Sequence, residues 1–437
     1  MITPELLQAL QTTYQSDPRN RIRSHAIAKV GVNDASENAL ENAQHPLTFS
    51  IELETGDITS QNHSGRCWLF AALNTFRVEI IRRLNLKTFE LSQTWAMFWD
   101  KLERANYFLE NILDTLHEPL DGREVAFLLT DPMGDGGQWD MFCALIDKYG
   151  IVPKAQMPET FHSSNSGMMN TLLTRKLREQ AIELREAGIS KESLQVRKEA
   201  MLSEIYNMLC LCLGEPPTQF DFAWRDESKT YHSDPGITPK EFFDKYVGLH
   251  LDDFVSIINA PTVDKPYYRT FTVQYLGNVR GGRSVKYLNL PVDEQKSLAV
   301  AQLKDNQPVW FGCDVGKMLD RKNGLMGMNT YDYEALLGVS FPMTKAQRLD
   351  YHESVMTHAM VLLGVNLVDE KPTRWKVENS WGEDSGQKGF YVMTDDWFSE
   401  YNYQIVVHKK YLSPEQLQAW ELDPIQLKPW DPMGSLA

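Results

Sequence analysis

The sequence predicts an α+β protein of two lobes, one helical and one rich in strands, with a large helical insertion. Three observations carry this. Between Trp68 and Ile81 the apolar residues Leu69, Ala72, Leu73, Phe76 and Ile80 recur at spacings of three and four, which is the buried face of a helix. From about residue 285 the apolar runs become short and rich in β formers, as in Pro308-Val309-Trp310-Phe311-Gly312-Cys313-Asp314-Val315. Between these regions two long helices are expected, near 169–187 and 191–213. In the second, Leu194, Met201, Ile205, Met208 and Cys212 form one stripe opposite Arg197, Lys198, Glu199 and Glu204. The expected division is an N-terminal arm (1–50), a helical lobe (51–154), a helical insertion (155–275), a β-rich lobe (276–428) and a C-terminal arm (429–437). Short strands running back and forth suggest that the second lobe is antiparallel and barrel-like.

Taken in order, residues 1–50 read as a short helix, Pro4 to Thr13, followed by polar, loop-rich chain. Arg19-Asn20-Arg21-Ile22-Arg23 is a small basic cluster, either solvated or a subunit contact. Residues 51–60 are extended. Helices follow near 68–84 and 92–114, the second opened by Ser92 as cap, with Trp95, Phe98, Trp99 and Leu102 on a core face. Asp131-Pro132-Met133-Gly134-Asp135-Gly136-Gly137-Gln138-Trp139 is a glycine-rich loop before another helix. It lacks the Gly-Lys-Ser/Thr ending of a phosphate-binding loop. An aromatic, charged segment from Phe220 to Tyr231 leads to a short helix opened by Thr238-Pro239-Lys240-Glu241. Later strands start at His358, run through Arg374–Glu378 to end at Asn379, and span Gly389–Met393.

Composition limits the function. The chain has 437 residues, 42% hydrophobic and 24% charged, with a net charge of −15. That balance argues against a nucleic-acid partner, whose affinity comes from Lys and Arg neutralising phosphates. No stretch approaches the ~20 apolar residues of a membrane span, and the start lacks the pattern of a signal peptide. The five cysteines have no framework spacing. Cys210-Leu211-Cys212 is too close for the usual metal clip and no histidine pair accompanies it, so no metal and no cofactor are expected.

The chemistry-bearing stretch is Gln61-Asn62-His63-Ser64-Gly65-Arg66-Cys67-Trp68, where a polar turn meets a helix. A cysteine at a helix N-terminus faces unpaired N–H groups and the positive end of the dipole, which lowers the thiol pKa. Taken alone, Cys67 is equally a small buried hydrophobe. Two later stretches decide between these: Thr357-His358-Ala359 and Glu378-Asn379-Ser380-Trp381-Gly382. Of the ten histidines, only His358 has such a context. His63 reads as a surface or cleft residue, and His352 precedes the strand.

Cysteine, histidine and an Asn-Ser-Trp-Gly turn, in that order, resemble the papain-like cysteine peptidases. The resemblance implies a two-lobe papain-like fold with the site between the lobes, and it implies roles. Cys67 is the nucleophile, His358 the proton shuttle and Asn379 the group that orients the imidazole, with Trp381 shielding that bond. Gln61 and the Cys67 backbone N–H face the oxyanion, and Gly136 and Gly137 line the substrate cleft. Secreted members carry a disulfide near the nucleophile, at positions that here hold Ser64 and Asp135. Its absence fits a reducing cytoplasm.

His358 follows Cys67 by roughly 290 residues, against about 130–150 in the papain type. With the helical insertion, and with no prodomain expected, this resembles the bleomycin hydrolase and bacterial aminopeptidase C branch. That resemblance implies a homo-oligomer, a hexamer, with peptides as substrates. It also implies a C-terminal arm, Pro429 to Ala437, whose final carboxylate at Ala437 faces the substrate's α-ammonium and selects free N-termini. The expected activity is therefore aminopeptidase. The alternatives are an oligopeptide endopeptidase with the same triad, or a silent peptide-binding scaffold.

Overall fold

The structure is a computed structural model that describes every residue except Ile189 and Ala437, and every side chain among these except Asn42 and Lys191. The helical lobe forms around the helix Cys67–Leu84, whose apolar face is buried from Trp68 to Ile80 and which ends at Asn85 in the left-handed conformation. The Phe76 ring lies 6.3 Å from Trp139, 5.3 Å from Phe142 and 5.7 Å from Phe243. The helices Trp139–Tyr149 and Pro239–Tyr246 are thereby packed on one face of the Cys67–Leu84 helix. The helix Gln93–Asp114 begins where the Ser92 hydroxyl accepts the Trp95 amide at 3.0 Å, satisfying one of the unpaired N–H groups of the first turn.

The helices Gly167–Glu186 and Lys191–Leu213 lie against Gln93–Asp114. The stripe Leu194, Met201, Ile205 is buried, and Tyr206 meets Phe98 edge-on at 5.5 Å. The Phe220–Tyr231 segment begins a two-stranded antiparallel hairpin, Phe220–Arg225 with Tyr231–Ile237. The helix Pro239–Tyr246 carries a capping box in which the Thr238 hydroxyl accepts from the Glu241 amide and the Glu241 carboxylate accepts from the Thr238 amide.

The second lobe is a single twelve-stranded sheet. Its order is Ile425–Leu427, Arg269–Val273, Tyr287–Asn289, Phe254–Ile258, Asn402–His408, Val309–Cys313, His358–Val368, Lys371–Glu378, Phe390–Thr394, Leu325–Met326 and Leu319–Asp320, with Ile51–Glu52 added against His358–Val368. The pairings are antiparallel except for three: 425–427 with 269–273, 254–258 with 287–289, and 390–394 with 325–326. In the central register His358 faces Cys313 and Ala359 faces Gly312. Among the described residues no helix is long and apolar enough to cross a membrane.

Two regions differ from the sequence expectation. Residues 1–50 are helical well beyond the first segment, with helices Pro4–Ser16, Arg19–Ser36 and Ala39–Asn42. Almost nothing in the first two is buried, and Arg19–Ser36 is polar through much of its length, so only the first segment carries a period that announces it. The stretch 155–275 is not helical throughout. Phe254–Ile258 and Arg269–Val273 are strands of the main sheet. They pair with residues far along the chain, and no local pattern reports such pairing.

The lobes are joined by a buried polar cluster. Glu378, the last residue of its strand, accepts from Arg77 Nη2 at 2.7 Å and Asn74 Nδ2 at 2.6 Å, both on the Cys67–Leu84 helix. Arg77 also donates to the Asp57 carbonyl at 2.6 Å and the Thr55 hydroxyl at 2.8 Å. Both members of the ion pair are almost wholly out of solvent. Removing one partner would strand the other charge in the core, at a cost of about 3–5 kcal/mol. Arg77→Met should lower stability by that order in urea unfolding, and Arg77→Met with Glu378→Leu should regain most of the loss.

Candidate active site

The fold brings Cys67, His358 and Asn379 to the junction of the lobes. Cys67 is the first residue of its helix and His358 the first of its strand, while Asn379 directly follows the strand Lys371–Glu378. All three are buried. The backbone amides of Ala359, the residue after His358, of Trp68 and of Cys67 itself act on the Cys67 sulfur and favour its charged form. His358 Nε2 lies 2.9 Å from Asn379 Oδ1. An amide oxygen only accepts, so Nε2 carries the proton and Nδ1 is the nitrogen free to exchange one. The Trp381 ring covers the imidazole at 4.9 Å, and the Arg321 guanidinium sits 4.5 Å over the other ring of that stack, Trp381.

Gln61 is tied to the same turn. Its backbone N–H donates to the Ser380 carbonyl at 2.8 Å, and its side-chain oxygen accepts the Ser380 hydroxyl at 2.7 Å. Gln61 Nε2 donates to the Ser64 carbonyl at 2.6 Å, which leaves the second N–H of that amide uncommitted. The polar turn is thus stitched both to itself and to the turn after Asn379.

Burial dominates the electrostatics. It pushes the Cys67 thiol up, to about 11, against the pull of the three amides, and the Asp135 charge adds to the rise. This reverses the expectation that the helix N-terminus would leave a low-pKa thiol, because desolvation of a thiolate outweighs the helix-end amides here. Burial also pushes His358 down, to about 4, against the Asn379 hydrogen bond, with Arg321 adding to the fall. Either charge alone is disfavoured.

Several contributing residues carried no motif. Asp135, from the glycine loop, accepts the Gly65 amide at 2.9 Å, Lys101 Nζ at 2.6 Å and Asn170 Nδ2 at 2.7 Å, and its carbonyl accepts Trp68 Nε1 at 2.7 Å. Arg66 is buried, with its guanidinium on the Glu159 carboxylate and Nε on the Ser64 hydroxyl. The one sequence signal was a set of charges, Lys101 and Arg104, inside a helix whose neighbouring residues are apolar and aromatic.

Gly136 and Gly137 lie beside this turn, for different reasons. The Gly136 carbonyl accepts from Arg104 Nη2 at 2.8 Å. A β-carbon on Gly137 would come within 2.5 Å of the buried Trp68 ring, so that glycine is required by packing against the nucleophile helix. The C-terminal arm crosses near both walls. Ser435 donates its hydroxyl to the carbonyl of Met356, two residues before His358, at 2.6 Å, and its own carbonyl accepts from Gln138 Nε2 at 2.8 Å. Upstream, Asp431 pairs with Lys265 at 2.8 Å, Arg123 stacks on Trp430 at 3.6 Å, and Met433 is buried. Ala437 lies outside the described residues. Among the described residues no cluster of His, Cys, Asp and Glu has the arrangement of a metal site.

A sequence model of the Peptidase C1-like family matches residues 1–434. The chain belongs to the Peptidase C1-like family. Within it, aminopeptidase C of Streptococcus thermophilus is 49% identical over all of this chain and 99% of its own length. Human bleomycin hydrolase is 42% identical over all of this chain and 99% of its own. The crystal structure of PepW from Lactobacillus rhamnosis HN001 superposes with a TM-score of 0.99 at 52% identity, covering all of this chain and 99% of that one. The fold is the papain-like two-lobe α+β arrangement of that family, with a helical lobe facing a large sheet.

The buried imidazole makes stability depend on pH in a stated window. The folded pKa of about 4 lies below the ordinary 6.5, so the unfolded chain takes up a proton at His358 that the folded chain refuses. The contribution is complete above pH 6.5 and is lost as pH falls through 4, amounting to about 3 kcal/mol. Urea unfolding across that window should show a shallower decline with acid in His358→Gln than in the parent.

Proposed function

We propose that the chain is a thiol aminopeptidase that releases N-terminal residues from peptides through an acyl-enzyme. Cysteine-type peptide hydrolysis comes with the family; the bond chosen is our reading. What carries it is the arm: Ser435 is hydrogen-bonded to Met356 on the His358 side and to Gln138 on the glycine-loop side, so the chain's last residues span the space an extended substrate would need.

In the proposed reaction His358 Nδ1 takes the Cys67 proton as the sulfur attacks the scissile carbonyl carbon. The oxyanion is met by the Cys67 backbone N–H and the uncommitted N–H of Gln61. Collapse breaks the C–N bond, and the imidazolium delivers its proton to the leaving amine. Water, deprotonated by the same imidazole, then hydrolyses the thioester. Asn379 holds the ring in the required tautomer. Gly136 and Gly137 lie along the cleft wall.

We place the protein in the cytoplasm as a hexamer. The five cysteines are free, as a reducing compartment keeps them. The helix Pro4–Ser16 buries none of its residues, and Leu6, Leu7, Leu10 and Tyr14 are exposed along it, as suits a helix completed by another subunit. A light-scattering mass six times that of the chain is expected.

The deciding comparison is between the full chain and a form lacking its last four residues. Each is assayed on an aminoacyl reporter and on the same reporter with its amine blocked, with Cys67→Ala as the inactive control. The full chain should cleave only the free amine, and truncation should admit the blocked one. Preference of the full chain for blocked or internal bonds would make it an endopeptidase, and activity no greater than Cys67→Ala would leave a peptide-binding scaffold. Gln61→Ala should lower kcat by about 10²–10³, the usual cost of one oxyanion donor, with little change in KM.

A further inference from the structure

We propose that Asp135 is a positioning residue for the chemistry at Cys67: its carboxylate, neutralised from behind by Lys101, fixes the Gly65 amide and the Trp68 ring and so sets both the geometry of the nucleophile turn and the charge it feels. The proposal rests on the reading of Cys67 as nucleophile.

The geometry is unusually complete for a loop side chain. One carboxylate oxygen takes the Gly65 amide at 2.9 Å and the Ser166 hydroxyl at 2.5 Å. The other takes Lys101 Nζ at 2.6 Å and Asn170 Nδ2 at 2.7 Å. The Asp135 carbonyl takes the Trp68 indole N–H at 2.7 Å. One residue therefore grips the chain on both sides of Cys67, two residues before it and one after. The approach is close enough that a β-carbon on Gly65 would come within 2.7 Å of the Asp135 β-carbon. The donors come from three separate parts of the fold: the turn itself, the helix Gln93–Asp114, and the start of the insertion at Ser166 and Asn170. The insertion grips the same turn again, where the His63 amide donates to the Ser164 carbonyl at 2.9 Å and Glu159 holds Arg66. Its first residues thus brace the nucleophile turn.

The charge arrangement follows from the same contacts. Lys101 is 1% exposed and Asp135 11%, so neither charge is dissolved in water. Desolvation of the carboxylate is outweighed by Lys101 and the other donors, which hold Asp135 well below the usual carboxylate range. The groups that act on the Cys67 sulfur are the Ala359 amide on one strand, Cys313 on the next, the amides of Trp68 and Cys67 itself, and Asp135 from the loop. Arg66 is turned away onto Glu159, and Arg104 onto Asp100 and the Gly136 carbonyl. Replacing the anion leaves Lys101 as an uncompensated cation, which favours thiolate. Replacing the cation leaves the anion, which opposes it. The two substitutions should therefore shift thiol reactivity in opposite directions, although both disturb one ion pair.

The test follows the rate at which iodoacetamide alkylates Cys67, read at that residue by peptide mass spectrometry as a function of pH. It compares the full chain, Asp135→Asn and Lys101→Met, with turnover expressed per alkylatable Cys67. Asp135→Asn should be alkylated about threefold faster at neutral pH, with its profile moved to lower pH. Its kcat should nevertheless fall about tenfold to a hundredfold, because the turn is no longer held. Lys101→Met should be alkylated more slowly, with its profile moved up. Profiles that move together, or that stay unchanged while only thermal stability falls, would overturn the proposal and leave Asp135 a purely structural residue. If Asp135→Asn does not fold, Lys101→Met decides alone: slower alkylation supports the proposal and an unchanged rate overturns it. Alkylation reports on the sulfur whether or not peptides are cleaved, so failure of the aminopeptidase reading would show separately, as a parent chain without peptidase activity.

Discussion

The buried carboxylate of Glu378 is the contact on which the rest of the structure depends. It ends the strand that delivers Asn379, and it is gripped by Arg77 and Asn74 from the helix that delivers Cys67. Two lobes of different secondary structure meet at the site, and apolar packing between them is non-directional. A charged, bidirectional contact can fix how far along the helix the strand end sits. In the proposed reaction a side-chain ring must meet a sulfur across the junction, where a displacement of about 1 Å is costly to chemistry. The Trp310 indole, which donates to the Trp68 carbonyl at 3.3 Å, adds a second tie across the same boundary.

Around that junction the polar turn before Cys67 is held from every side. Ser380 holds Gln61, Asp135 holds Gly65 and Trp68, and Glu159 holds Arg66. Ser380 is buried, and Asp135 and Glu159 are half-buried. A turn supported in this way keeps its backbone N–H groups aimed without help from solvent, as the proposed oxyanion site requires. The same enclosure explains why the thiol and the imidazole are each held towards the neutral form. The C-terminal arm belongs to this architecture too. It is anchored by an ion pair at Asp431 and a cation–π stack at Trp430, and only then reaches Ser435 between the two walls.

Much of this could be read in one dimension, because local chemistry leaves local traces. The cap residues Ser92 and Thr238, the apolar face from Leu69 to Ile80 and the strand starting at His358 all follow from spacing and residue type. The helix Pro4–Ser16 was anticipated in its first ten residues, but the helices Arg19–Ser36 and Ala39–Asn42 were missed, the one largely polar and the other too short to show a period. The strands at 254–258 and 269–273 were missed because each pairs on one side with a strand far along the chain, 402–408 and 425–427. The thiol went the opposite way from expectation, since a helix N-terminus is visible in sequence and depth of burial is not.

By itself the sequence determined the order of the chemistry-bearing residues and the two-lobe division into helix and strand. These follow from residue identity and short-range spacing. Only the tertiary structure decided that Asp135, Lys101 and Asn170 converge behind Gly65, that Glu378 meets Arg77, and that Ser435 lies between Gln138 and Met356. Each of these joins residues tens to hundreds of positions apart. Their mutual preference is a property of desolvated charges and unpaired donors, which exist only once the chain has excluded water from around them.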